Sequence, residues 1–117
     1  MSESLPQTSY RELLLLLLRR RRRLKVTGKS MQPLLQPGDE ITVDPFAYRQ
    51  SLPKVGDIVV ATHPDRAKLI VVKRITAINC SGEYFLTGDN LKASTDSRHW
   101  GSIEAKKILG KVTSHFL

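Results

Sequence analysis

Disulfides, metal clusters and long apolar runs are all missing from this chain, and each absence removes a class of protein. The single cysteine, Cys80, excludes an intramolecular disulfide and leaves no thiolate pair for a structural metal. His63, His99 and His115 fall at no metal-ligand spacing, so neither a metal nor another cofactor is expected. The longest apolar run, Leu13 to Leu18, is closed by Arg11 and Glu12 on one side and Arg19 to Arg23 on the other. A spanning helix needs about 20 apolar residues, so no transmembrane span is expected. Nor does the order fit a secretory signal, because the positive charge follows the apolar run and no small-residue cleavage site is present. The expected location is cytoplasmic, with peripheral contact at a membrane as the alternative. No aromatic series interleaves with the arginines and no groove-reading motif accompanies them, which argues against nucleic acid as a partner.

What remains is one domain's worth of chain, 117 residues with 40% apolar content and no repeat or linker. Seven glycines and six prolines between short apolar runs point to many turns and a mainly β fold. Charge is uneven: residues 1–30 hold eight Lys/Arg against two Glu, +6 of the total +8. Such a segment attracts anionic lipid or an acidic partner, or is a solvated charge run. Residues 1–9 read as a loose terminus. Tyr10 to Leu18 reads as a helix, with Ser9 as N-cap and Glu12 completing a capping box. The expected division is a tail and basic helix over 1–23, then one β domain over 24–117. Within the latter, strands are expected at 24–28, 40–44, 58–61, 68–78 and 84–87, with 108–112 closing the sheet as its last strand.

Three short stretches carry chemistry. Ser30 follows Gly28, which lets another backbone approach, and precedes Pro33, which fixes the outgoing turn. A hydroxyl held there is exposed and pre-oriented, and its own N–H is free to meet a developing oxyanion. Lys73 lies inside Leu69-Ile70-Val71-Val72-Lys73-Arg74-Ile75, where strand alternation sets it between Val71 and Ile75 on one face. An unperturbed lysine is neutral in only about one molecule in 2,500 at pH 7, and desolvation corrects this. Alone, Ser30 is an ordinary turn residue and Lys73 reads as a lysine snorkelling out along a strand. The polar segment 88–98 concentrates hydroxyls and carboxylates, and its Ser94 can orient a neutral lysine amine.

Taken in order, Ser30-Met31-Gln32-Pro33-Leu34 with Pro37-Gly38-Asp39, Lys73-Arg74, and Gly88-Asp89-Asn90 with Ser94-Thr95-Asp96-Ser97-Arg98 resemble the signal-peptidase superfamily of Ser/Lys proteases. The resemblance covers residues 24–112 and implies a compact signal-peptidase/LexA-like β-fold with a short N-terminal helix. It implies Ser30 as nucleophile, Lys73 as general base and Ser94 as the residue orienting that base. It further implies an ion pair between Asp96 and Arg98 and a second between Asp89 and Arg74. Many bacterial members carry a hydroxyl where this chain has Gly28, so the Ser30 N–H is the expected oxyanion donor. Met31 and Val71 are expected to line apolar pockets for small side chains before the scissile bond.

The stretches Ser9-Tyr10-Arg11-Glu12, Asp44-Pro45-Phe46-Ala47-Tyr48-Arg49-Gln50 and Gly56-Asp57-Ile58-Val59 look like those of nickel-type superoxide dismutase maturation proteases. That likeness implies propeptide removal from a nickel-type superoxide dismutase precursor as protein substrate. The alternatives are type I signal peptidase-like processing of secretory signal peptides, with the leucine–arginine segment in the membrane interface, or a non-catalytic binding module of the same fold.

Overall fold

The computed structural model describes residues 5–116. Helix α1 spans Tyr10–Leu17, and Ser9 caps it by accepting the Glu12 N–H at 3.3 Å. Only half of the expected capping box is built. The Glu12 carboxylate turns inward instead and accepts from Thr42, Thr113 and Arg21. No glycine follows the helix, so Arg19 itself takes the left-handed conformation, with φ 61°. A residue with a Cβ costs about 1 kcal/mol there.

Six strands follow: β1 Arg22–Lys25, β2 Glu40–Asp44, β3 Ile58–His63, β4 Arg66–Ile78, β5 Tyr84–Thr87 and β6 Ile108–His115. They form one antiparallel sheet in the order β1-β2-β6-β3-β4-β5. The unbroken apolar start of β3 suits a strand covered on both faces. Ile58 and Val60 join one core with Val26, Met31 and Ile41, while Val59 and Ala61 join the other with Ile75, Tyr84 and Leu86.

Several boundaries differ from the sequence expectation. β1 starts inside the arginine run and ends at Lys25, after which Val26 leaves the sheet and donates to Asp39 O at 2.7 Å. Residues 6–8 are tied down rather than loose: Gln7 bridges to His115, and Thr8 N–H donates to the His115 carbonyl at 2.9 Å. Met1 to Ser4 lie outside the described residues. β6 is not an edge strand but lies between β2 and β3, burying Gly110, Val112 and Ser114 in alternation. The polar segment expected as a loop contains a short helix, α2 Ser97–Trp100, capped by Asp96.

One topological detail positions the site. β4 is paired with β3 as far as Arg74, but β5 covers its other edge only from Arg74 onward. The edge from Leu69 to Lys73 is therefore open, and it faces the segment that leaves β1.

Candidate active site

Ser30 stands in a turn, five residues after β1 ends. Gly28 serves this turn through its backbone: its φ is 79°, and a Cβ there would meet nothing within 4 Å. The close approach expected at Gly28 occurs at Gly88, where a Cβ would lie 2.6 Å from Ser30 O and would also collide with Ser94 Oγ. Asn90 completes the crossing. Its N–H donates to Ser30 O at 2.8 Å, and its Nδ2 donates to Lys29 O at 3.2 Å.

Lys73 pairs across the sheet with Val59 and is only 4% exposed. Its Nζ donates to Ser94 Oγ at 3.0 Å, and Ser94 Oγ in turn donates to Asp96 Oδ2 at 2.6 Å. The Ser94 proton is thus committed to Asp96, which leaves only lone pairs facing the lysine. Burial pulls the Lys73 amine below its ordinary value; the Asp96 charge works against this and the Arg98 charge assists.

Asp96 is fully buried and heavily bonded. It accepts Arg98 Nε at 2.8 Å and the N–H groups of Gly88 at 2.9 Å and Arg98 at 3.1 Å. Burial alone would raise its pKa, but the bonds from Arg98, Ser94 and the backbone outweigh that and hold the carboxyl well below the usual range. The second pair, Arg74 with Asp89, is bidentate at 2.8 and 2.9 Å, and Arg74 Nη1 also donates to Gly56 O at 3.1 Å. This pair fastens the segment after β5 to the turn before β3.

Ser30 and Lys73 line one cleft of about 270 Å³. Residues 24–27 form one wall and Leu69 to Val72 the other, while the buried Met31 closes the floor from within the core. Val71 is half-buried and lines the cleft as well. Ser30 lines the cleft, and among the described residues its hydroxyl and N–H have no hydrogen-bond partner. No group of three or more His, Cys, Asp or Glu side chains able to hold a metal occurs among the described residues.

Sequence reasoning missed Gly88 and Asn90 as individual contributors. Gly88-Asp89-Asn90 was legible only as part of a resemblance, although a glycine beside two turn-forming residues is a signal for close backbone packing.

A mainly β sheet with a short N-terminal helix, carrying a serine and a buried lysine in one cleft, has the signal-peptidase/LexA-like architecture. Comparison with known proteins agrees: the family model described as signal peptidase, peptidase S26, matches residues 13–80 and 79–117. The chain belongs to that family. It is 32% identical over 109 residues to the mitochondrial ATP-independent inner membrane protease subunit 1a of Arabidopsis thaliana, a match covering 74% of this chain and 65% of that protein. The mitochondrial inner membrane protease subunit 1 of Schizosaccharomyces pombe is 33% identical, with 74% and 67% covered. Signal peptidase I V of Bacillus subtilis is 26% identical, with 76% and 82% covered. The chain thus spans about two thirds of the length of the mitochondrial relatives. These relatives overturn the expectation of a cytoplasmic location, since those named for a place belong to a membrane. Among the described residues no helix is long and apolar enough to cross one.

Proposed function

We propose that the protein is a membrane-associated serine endopeptidase that removes N-terminal extensions from precursor proteins, with Ser30 as nucleophile and Lys73 as general base. The observation that carries this reading is the lysine: an amine buried in the sheet, bonded to a hydroxyl rather than a carboxylate, and opening into the same cleft as Ser30. A neutral amine there takes the Ser30 proton as the hydroxyl oxygen attacks the scissile carbonyl. The oxyanion forms beside the free Ser30 N–H. Collapse of the tetrahedral intermediate passes the proton from Lys73 to the leaving amine, and water then hydrolyses the ester on Ser30.

The cleft lies between two strand edges without sheet neighbours, so an extended peptide adds to it through main-chain hydrogen bonds. Val71 and Met31 leave room for small side chains before the scissile bond. Membrane association rests on the relatives named for the mitochondrial inner membrane and on the one named a signal peptidase. Asp89, Arg74 and Arg98 hold the segment that carries Ser94.

The test is cleavage of a precursor bearing a signal-type extension. Ser30→Ala, Lys73→Ala and Lys73→Arg are each expected to reduce turnover to background with the fold retained, because a guanidinium does not deprotonate in proteins. Normal cleavage by either Lys73 variant would remove the dyad.

A narrower substrate, the nickel-type superoxide dismutase precursor, rests on the likeness of residues 9–12, 44–50 and 56–59 alone. Mass spectrometry of that precursor co-expressed with the protease decides it: a shortened N-terminus supports it, and an uncut precursor beside cleaved signal peptides removes it.

A further inference from the structure

Helix α1 is amphipathic in the opposite sense from an ordinary surface helix. Its carboxylate, Glu12, is buried, while Tyr10, Leu13, Leu14 and Leu17 point outward with exposures of 90, 43, 55 and 79%. Spacings of three, four and seven residues put these four on one stripe. Leu18 at the C-cap extends it. A helix that buries its acid and exposes its leucines presents an apolar surface to something outside the domain.

The surrounding charge identifies what that is. Arg21 is spent on Glu12 and Asp44, and Arg23 on Glu40. Arg11, Arg19 and Arg22 are exposed, and among the described residues they have no acidic partner. An apolar stripe flanked by uncompensated arginines complements an anionic bilayer surface, with acyl chains under the leucines and phosphates at the guanidiniums.

Helix α1 also has a fixed relation to the cleft, through Leu16 beside the stripe. A groove of about 650 Å³ runs from Leu16 past Arg22 and Leu109, and it shares Leu24 and Ile70 with the cleft of Ser30 and Lys73. Leu109 and Ile70 are themselves exposed.

We infer that α1 is a docking surface for anionic lipid, its outward leucines in the acyl boundary and Arg11, Arg19 and Arg22 on the headgroups. The apolar groove then leads from the bilayer surface to the cleft. This deepens the reading of a membrane-associated endopeptidase and rests on it for the meaning of that path.

The experiment is vesicle flotation with the full chain, using phosphatidylcholine vesicles with and without phosphatidylglycerol. The wild type is expected to float with the anionic vesicles and far less with the neutral ones. Leu14→Glu/Leu17→Glu should lower the bound fraction at least tenfold, and Arg19→Gln/Arg22→Gln by about fivefold per arginine on anionic vesicles only. Both pairs of side chains are exposed, so unchanged circular dichroism and melting are expected. Cleavage of a soluble peptide should survive in both variants, while cleavage of a vesicle-anchored precursor falls. Flotation unaffected by the leucine variant overturns the inference, as does a wild type that cleaves soluble peptide but floats with neither vesicle. A dimer that the leucine variant dissociates, without flotation, overturns it in favour of a second copy. Flotation without any cleavage leaves the docking surface standing and removes the peptidase reading.

Discussion

Lys73 and Asp96 are kept apart by a single hydroxyl: Ser94 Oγ accepts from the amine at 3.0 Å and donates to the carboxylate at 2.6 Å. Direct contact would make an ion pair and hold the amine charged. Interposing Ser94 gives the lysine a fixed hydrogen-bond partner while Asp96 spends its charge on Arg98 and two backbone N–H groups.

The rate of peptide cleavage should therefore rise with pH as Lys73 loses its proton, with an apparent pKa below the ordinary lysine value of 10.5. A profile that climbs only near that value would show that burial does not desolvate the amine.

The same depression sets a stability prediction. An amine whose folded pKa is lowered binds fewer protons folded than unfolded, so its burial opposes folding below the unfolded value. Lys73→Met should be inactive yet more stable at pH 7, by about 1–2 kcal/mol, or roughly 4–8 °C in melting temperature. The gain should shrink as pH rises through the folded value and past 10.5, above which the lysine is neutral in both states. Calorimetry at two pH values checks the sign.

Ser94→Ala removes the partner that fixes the amine without touching the cleft walls. It should lower kcat by about 10- to 100-fold and leave KM nearly unchanged. A rise in KM at constant kcat would place Ser94 in substrate binding instead.

Gly88→Ala drives a methyl group into the Ser30 carbonyl oxygen and Ser94 Oγ, displacing nucleophile and base support at once. Activity should fall to near background while the melting temperature drops by only a few degrees, because the crossing lies outside both cores. Full activity in this variant would mean that the two turns move apart freely.

Glu12 ties α1 to the sheet. Burial raises its pKa, but bonds from Thr113 and Thr42 and the Arg21 charge outweigh this and leave it lowered. A lowered carboxylate stabilises the fold above its unfolded value of about 4.5, and this contribution is lost as pH falls through the folded value. Glu12→Gln should cost about 1–3 kcal/mol at pH 7 and flatten the acid limb of stability, measured by urea unfolding at pH 7 and pH 3.

Sequence alone carried the strands whose apolar runs end at turn residues: β2, β3 and β5 lie where Pro37-Gly38, Val55-Gly56 and Ser81-Gly82 put them. It failed where tertiary partners override local pattern. Val26 alternates correctly for a strand, but its N–H goes to Asp39 and the sheet ends before it. The run Ile108 to Val112 gave no sign of being central, because strand order depends on which faces are covered. In the cleft, Ser30, Lys73 and Ser94 were legible as a motif, while Gly88 and Asn90 required knowing that residues some 60 positions apart cross.

The central place of β6 sets an order on assembly. Before it pairs, the sheet is two separate pieces, β1 with β2 and β3 with β4 and β5. Ser30 belongs to the first piece, and Lys73 and Ser94 to the second. Until β6 pairs, no sheet hydrogen bonds join the two halves of the site, and such long-range pairing is slow to form. The chain therefore offers a natural seam between β2 and β3 for a split enzyme, expected to be active only on reassembly.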